Sequence, residues 1–172
     1  YVLQKNIETE LSRAAVINSG GRLRMLSQRI ALFADHLTHA DSSTGTRAQT
    51  REELEDALLH FEVSFNGLLH GDAILHLPGN PSLEARALYF ESPTSLSVET
   101  QKFLTAARAL CRAPESELHP RNPNLQYVLA AASSDFLGRL DDLVKLYQTE
   151  GEVGIARLQK LERLVMLSTV LV

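Results

Sequence analysis

The residues with the most chemical content lie in one short run, Ile17-Asn18-Ser19-Gly20-Gly21-Arg22-Leu23-Arg24-Met25-Leu26-Ser27-Gln28-Arg29-Ile30. Arg22, Arg24 and Arg29 follow a pair of adjacent glycines. A guanidinium is flat, permanently charged and forks its donors, so it suits a small anion. Gly20 and Gly21 precede Arg24 by four and three residues, which puts them on its face of a helix. Without side chains they let a second helix or an anion come close to the backbone. Gln28, one turn after Arg24, can orient that arginine, reach a ligand, or serve as an ordinary polar helix position. Asn18 precedes Arg24 by six residues and lies about 120° from it around an ideal helix. It can reach an anion through a second copy of the chain or act as a hydrogen bonder in a bundle core. The bland alternative for the arginines is a solvated basic face paired with acids.

Other chemistries find less support. His36, His39, His60, His70, His76 and His119 are scattered over helix ends and links. Asp35 and His39 are four apart and could share a metal with His36 or His60, but no Glu-x-x-His tetrad of the di-iron kind occurs. Solvated histidines near helix ends are the ordinary reading, and no metal or cofactor is expected. There is no Cys-x-x-Cys-His for haem, no Gly-x-Ser-x-Gly and no glycine-rich phosphate loop. A net charge of −4 leaves no footprint for nucleic acid. Cys111 is the only cysteine, which excludes an internal disulfide, and it reads as a small buried hydrophobe.

These residues must be positioned by helices. At 172 residues, 44% hydrophobic and 22% charged, the chain can bury one full core. Leu3, Ile7, Leu11, Ala14 and Ile17, then Met25, Leu26, Ile30, Phe33 and Leu37, read as one buried stripe on a first helix from about Val2 to His39. Leu54, Leu58, Phe61, Phe65 and Leu68 mark a second helix from about Thr46 to His70, stopped by Gly71. Pro78, Gly79, Pro81 and Pro93 punctuate a link holding one short helix, capped by Ser82 and reaching Tyr89. A third long helix spans about Ser95 to Arg112, with Val98, Phe103, Ala106, Ala107 and Leu110 inward. Asn122-Pro123 supplies a cap and a proline at the first helical position of a last helix running to the chain end. That helix would be on the order of 70 Å long, so the first and last helices extend together as a stalk. The expected fold is all-α, an up-down-up-down antiparallel four-helix bundle with long N- and C-terminal helices, in a single domain over 1–172.

Ile17, Asn18, Gly21, Arg24, Met25, Ser27 and Arg29 resemble the first-helix signature of nitrate/nitrite sensor kinases. The run Gly-Arg-x-Arg-Met-Leu-Ser-Gln-Arg is similar to the N-terminal sensor domain of type IV pilus chemotaxis transducers. Gly20 departs from the pattern, where the family usually has alanine. The resemblance implies a periplasmic sensor domain of an inner-membrane bacterial receptor, a homodimer, and a small oxyanion ligand, nitrate first and nitrite second. Its binding residues would be Arg24, Gly21, Gly20, Asn18 and Gln28. Two Arg24 side chains facing each other across a two-fold would neutralise and grip one anion from both sides.

The first residues and about 164–172 then read as juxtamembrane. Leu164–Val172 carries no charge and is too short to span a bilayer, which needs about twenty residues. Arg157, Lys160 and Arg163 before it look like a juxtamembrane collar. Flanking transmembrane helices are expected outside this sequence, and no catalytic activity is expected within it. The alternatives are a dimeric receptor domain of the same shape that senses another small ligand or a protein partner, and a metal- or cofactor-binding helical bundle.

Overall fold

The computed structural model describes residues 2–39, 44–91, 95–133 and 135–170, with side-chain surroundings defined for 7–39, 46–91, 95–133, 135–154, 156 and 160. Six helices follow in order among these residues: α1 (Val2–His39), α2 (Thr44–His70), α3 (Leu83–Phe90), α4 (Leu96–Arg112), α5 (Pro123–Ala132) and α6 (Asp135–Val170). The only strand-like pairing described is an isolated bridge between Asp72 and Leu77. The chain is a helical bundle. Helix α1 packs on α2, α5 and α6, and α4 packs on α2, α3, α5 and α6. Tyr1, Leu171 and Val172, and the side chains of Arg157, Arg163 and 164–170, lie outside the described residues.

Local sequence accounts for most boundaries. The Ser82 hydroxyl accepts from the Ala85 N–H at 3.0 Å and starts α3. Ser95 accepts from Val98 N–H at 3.2 Å and starts α4. Asn122 accepts from Asn124 N–H at 2.9 Å, with Pro123 at the first position of α5. Each cap satisfies a donor that the helix itself cannot. Helix α2 ends at Gly71, whose φ of +90° is left-handed and favours glycine. Gly79 comes back against the Gly71 backbone so tightly that a Cβ there would overlap it. Between them Asp72 closes a turn, its carboxylate accepting from Ile74 N–H at 2.8 Å and Leu75 N–H at 2.9 Å.

The last helix is not continuous. It breaks after Ala132, where Ser133 leaves the helical region at φ −114° and ψ 4°. Its hydroxyl donates to the Leu129 carbonyl at 2.8 Å, a local bond that competes with the helical ladder. Helix α6 then starts afresh with Asp135 in its first turn.

The core is aromatic where the helices converge. Phe103 of α4 lies 5.1 Å from Phe136 of α6 and 6.1 Å from Phe61 of α2, centroid to centroid. Phe65 meets Tyr89 of α3 edge-on at 5.4 Å. The Tyr89 hydroxyl shares a hydrogen bond of 3.1 Å with that of Tyr147 on α6. The α2 stripe of Leu54, Leu58, Phe61, Phe65 and Leu68 is buried throughout. Val98, expected inward on α4, is half exposed, while Thr100 takes a buried place.

Candidate functional site

The first helix has two working faces. Leu23, Leu26, Ile30, Ala34 and Leu37, at spacings of three and four, are buried in the bundle with Ser27 among them. Ile7, Leu11, Ala14, Asn18, Gly21, Met25, Gln28 and Leu32 form a second stripe, alternately four and three residues apart, and every one of them is exposed. This corrects the single core stripe expected from the sequence. Ile7, Leu11, Ala14 and Met25 do not face the core, because spacings of three and four fit either face and these residues sit on the one the bundle leaves uncovered. Asn18 is exposed, which removes its reading as a core hydrogen bonder.

The glycine pair is divided between these faces. Gly20 is buried, and a Cβ there would stand 3.3 Å from Val144 Cγ2 and 3.6 Å from the Tyr147 ring. Gly20 therefore lets α1 approach α6 of the same chain. Gly21 is exposed, with nothing within 4 Å of where its Cβ would be. Further along the same contact, Gly151 of α6 faces Ile17, and Gly154 lies against the Arg13 guanidinium. Residues 13–24 of α1 and 141–154 of α6 thus run antiparallel, side by side, with glycines at three of the contacts.

Arg24 occupies the border between the two faces. Its Nε stands 2.9 Å from Asp141 Oδ1 of α6, with the arginine side chain 53% exposed and the aspartate 31%. The Ser27 hydroxyl, fully buried, donates to the Arg24 carbonyl at 2.7 Å and anchors that turn of backbone. Arg22 is exposed, and Arg29 lies over the Phe33 ring, 5.3 Å from its centroid. Gln28 is exposed on the outer stripe, and among the described residues no hydrogen bond joins it to Arg24. The five expected site residues thus separate. Asn18, Gly21 and Gln28 share the outer stripe, Arg24 flanks it, and Gly20 points away into the α1–α6 contact. Sequence reasoning missed Asp141, because a carboxylate far along the chain gives no local signal of a partner on α1.

The described residues contain no group of three His, Cys, Asp or Glu side chains that could hold a metal. His39 Nδ1 lies 3.2 Å from Asp35 within one helix. Cys111 is buried, and burial pushes its thiol up to about 11. No helix among the described residues is long and apolar enough to cross a membrane. Arg24 is thus a half-exposed arginine that already holds a carboxylate.

No curated protein and no solved structure matches the chain significantly. The family described as type IV pili methyl-accepting chemotaxis transducer N-term matches residues 6–122, from the start of α1 through the cap of α5. That match covers more than half of the chain and includes both faces of α1. Such domains are sensor and signalling modules and not catalysts. The chain belongs to the family of N-terminal sensor domains of type IV pili methyl-accepting chemotaxis transducers.

Proposed function

We propose that this sensor domain works as a homodimer in the periplasm and binds one small oxyanion, nitrate before nitrite, between two copies of α1. One observation carries the reading. The outer stripe of α1 repeats at 3.5 residues, the period of a two-helix seam, and is left exposed by the described residues of its own chain. Gly21 stands in the middle of that stripe with open space above it, so a second α1 can come close there. Arg24 flanks the same point, and its copy from the second chain would face it across the two-fold. The likeness of this stretch to the first helix of nitrate/nitrite sensor kinases supports nitrate as the anion.

The Arg24–Asp141 pair adds a step. Each guanidinium is held by Asp141 of its own chain. An oxyanion shared by two arginines competes with Asp141 for the same donors. Binding would therefore draw Arg24 from α6 toward the seam and shift the population of α1–α6 arrangements. The terminal helices would pass that difference to flanking transmembrane helices.

Calorimetry with nitrate on the wild type and on Arg24→Ala tests the reading. The expected result is one anion per two chains in the wild type and none in the variant. Lysine at position 24 should recover little, since an ammonium lacks the planar fork. Unchanged binding by Arg24→Ala, or one independent site per chain, overturns it. A receptor domain of the same shape that reads another ligand would keep the seam and ignore nitrate.

A further inference from the structure

A cavity of 490 Å³ opens away from Arg24, between the N-terminal half of α1, the link at Pro78–Ser82 and α6. Its size is that of a small-molecule site. Val16, Leu68, Pro78 and Pro81 give it apolar walls, and the Tyr147 ring lines it as well. The Tyr147 hydroxyl is already engaged with Tyr89, so the ring is what the cavity receives from that side chain. Asn80, Ser12 and Thr9 add polar atoms.

The charges point one way. Glu8 and Glu150 line the cavity from α1 and α6, and among the described residues neither has a salt-bridge partner. Arg13 is the one basic lining residue among the described residues. Its charge is met within its own helix by Glu10 at 2.8 Å, and its guanidinium lies against Gly154. A neighbouring hollow shares Glu8, Ser12 and Pro78 and adds Asp72 and His76. The two carboxylates also stand apart. Gly151 is level with Ile17, and Glu8 comes nine residues before Ile17, a separation of roughly 13 Å along the axis before side-chain reach.

We propose that this cavity binds an elongated organic cation with an ammonium group at each end and an aliphatic middle. Glu8 and Glu150 would hold the two ends. The apolar walls and the Tyr147 ring would cover the methylenes and face a cation. This site is separate from the anion reading and opposite to it in charge. It spans the same two helices, so its ligand would bias the same α1–α6 arrangement.

Calorimetry on the whole chain with 1,8-diaminooctane, 1-aminooctane and nitrate tests the proposal. The diamine should bind at one site per chain, about tenfold tighter than the monoamine, and Glu8→Gln and Glu150→Gln should each weaken it about tenfold. Arg24→Ala should leave diamine binding unchanged, so failure of this site and failure of the anion site are distinguishable. Thermal melts of both glutamine variants check that they are folded, and both positions tolerate the change without burying a charge. No diamine binding, equal binding of the monoamine, displacement by nitrate, or indifference to both substitutions overturns the proposal.

Discussion

The two faces of α1 are the same helix over the same residues, yet they differ in what they are committed to. The inner face is finished. Leu23, Leu26, Ile30 and Leu37 are almost wholly buried, and Ser27 turns its hydroxyl back onto its own helix. The outer face carries comparable apolar material, with Ile7 at 54%, Leu11 at 56%, Met25 at 47% and Leu32 at 50% exposure. Burial of such side chains stabilises by about 1.5–3 kcal/mol each, so an outer face left wet forgoes a large term. The contrast teaches that the described residues cover one face of α1 and leave the other open, which is the face the proposed dimer uses.

The strongest way to break this contrast is to truncate one residue on each side of it. Leu23→Ala, on the buried face of α1, should cost about 2–5 kcal/mol in denaturant unfolding. Met25→Ala should change the unfolding of the isolated chain by less than about 0.5 kcal/mol and weaken self-association measured by sedimentation. Equal costs would mean that the two faces are not distinct.

The glycine pair offers a finer cut. Gly20→Leu should destabilise by about 1–3 kcal/mol, because Val144 and Tyr147 already touch the space its side chain needs. Gly21→Leu meets nothing and gains helix propensity of under about 1 kcal/mol, so the fold should hold or improve while nitrate response and self-association fall. A Gly21 variant that unfolds would make that glycine structural.

Alkaline titration probes the inner side alone. Burial raises the Tyr89 phenol far above its usual range, and burial raises Tyr147 as well. The folded state therefore holds these protons after the unfolded chain has lost them. Their contribution is complete below about pH 10 and is lost as pH rises beyond it. The melting temperature should fall above that pH, and less steeply in Tyr89→Phe. A flat profile would remove the hydroxyl pair from the stability of the core.

The smallest effect is expected at the border. Asp141→Asn should cost less than about 1 kcal/mol, since the pair is half exposed and screened. It should nevertheless tighten nitrate binding, because Arg24 no longer has to leave a carboxylate. Weaker binding in that variant would show that Asp141 positions the arginine instead of competing with the anion.

Much of the fold could be read from short-range signals. The stripe from Leu54 to Leu68 has one apolar face and one polar face, and only one face can go inside. Ser82, Ser95 and Asn122-Pro123 cap where their chemistry says they should, because capping is settled within three residues. Helix α1 was harder for a physical reason. With apolar residues on two faces, spacings of three and four are satisfied by both, and the sequence holds no mark of which face the chain itself will cover. The break at Ser133 was hidden because a serine is compatible with a helix and only the bond of its hydroxyl to the preceding turn tips the balance. Asp141 as the partner of Arg24, and the cavity beside Tyr147, depend on residues that are distant in sequence, so local pattern says nothing of them.

The interruption at Ser133 has a mechanical meaning. It leaves α6 as one rod of 36 residues, roughly 54 Å long, separate from α5 and packed against α1 at Gly20 and Gly151. A rod of that length acts as a lever. A tilt of about 2° at the Asp135 end carries the far end by about 2 Å, the size of helix displacement that receptors use to switch. The bundle around Phe103 can therefore stay almost still while the far end of its longest arm moves.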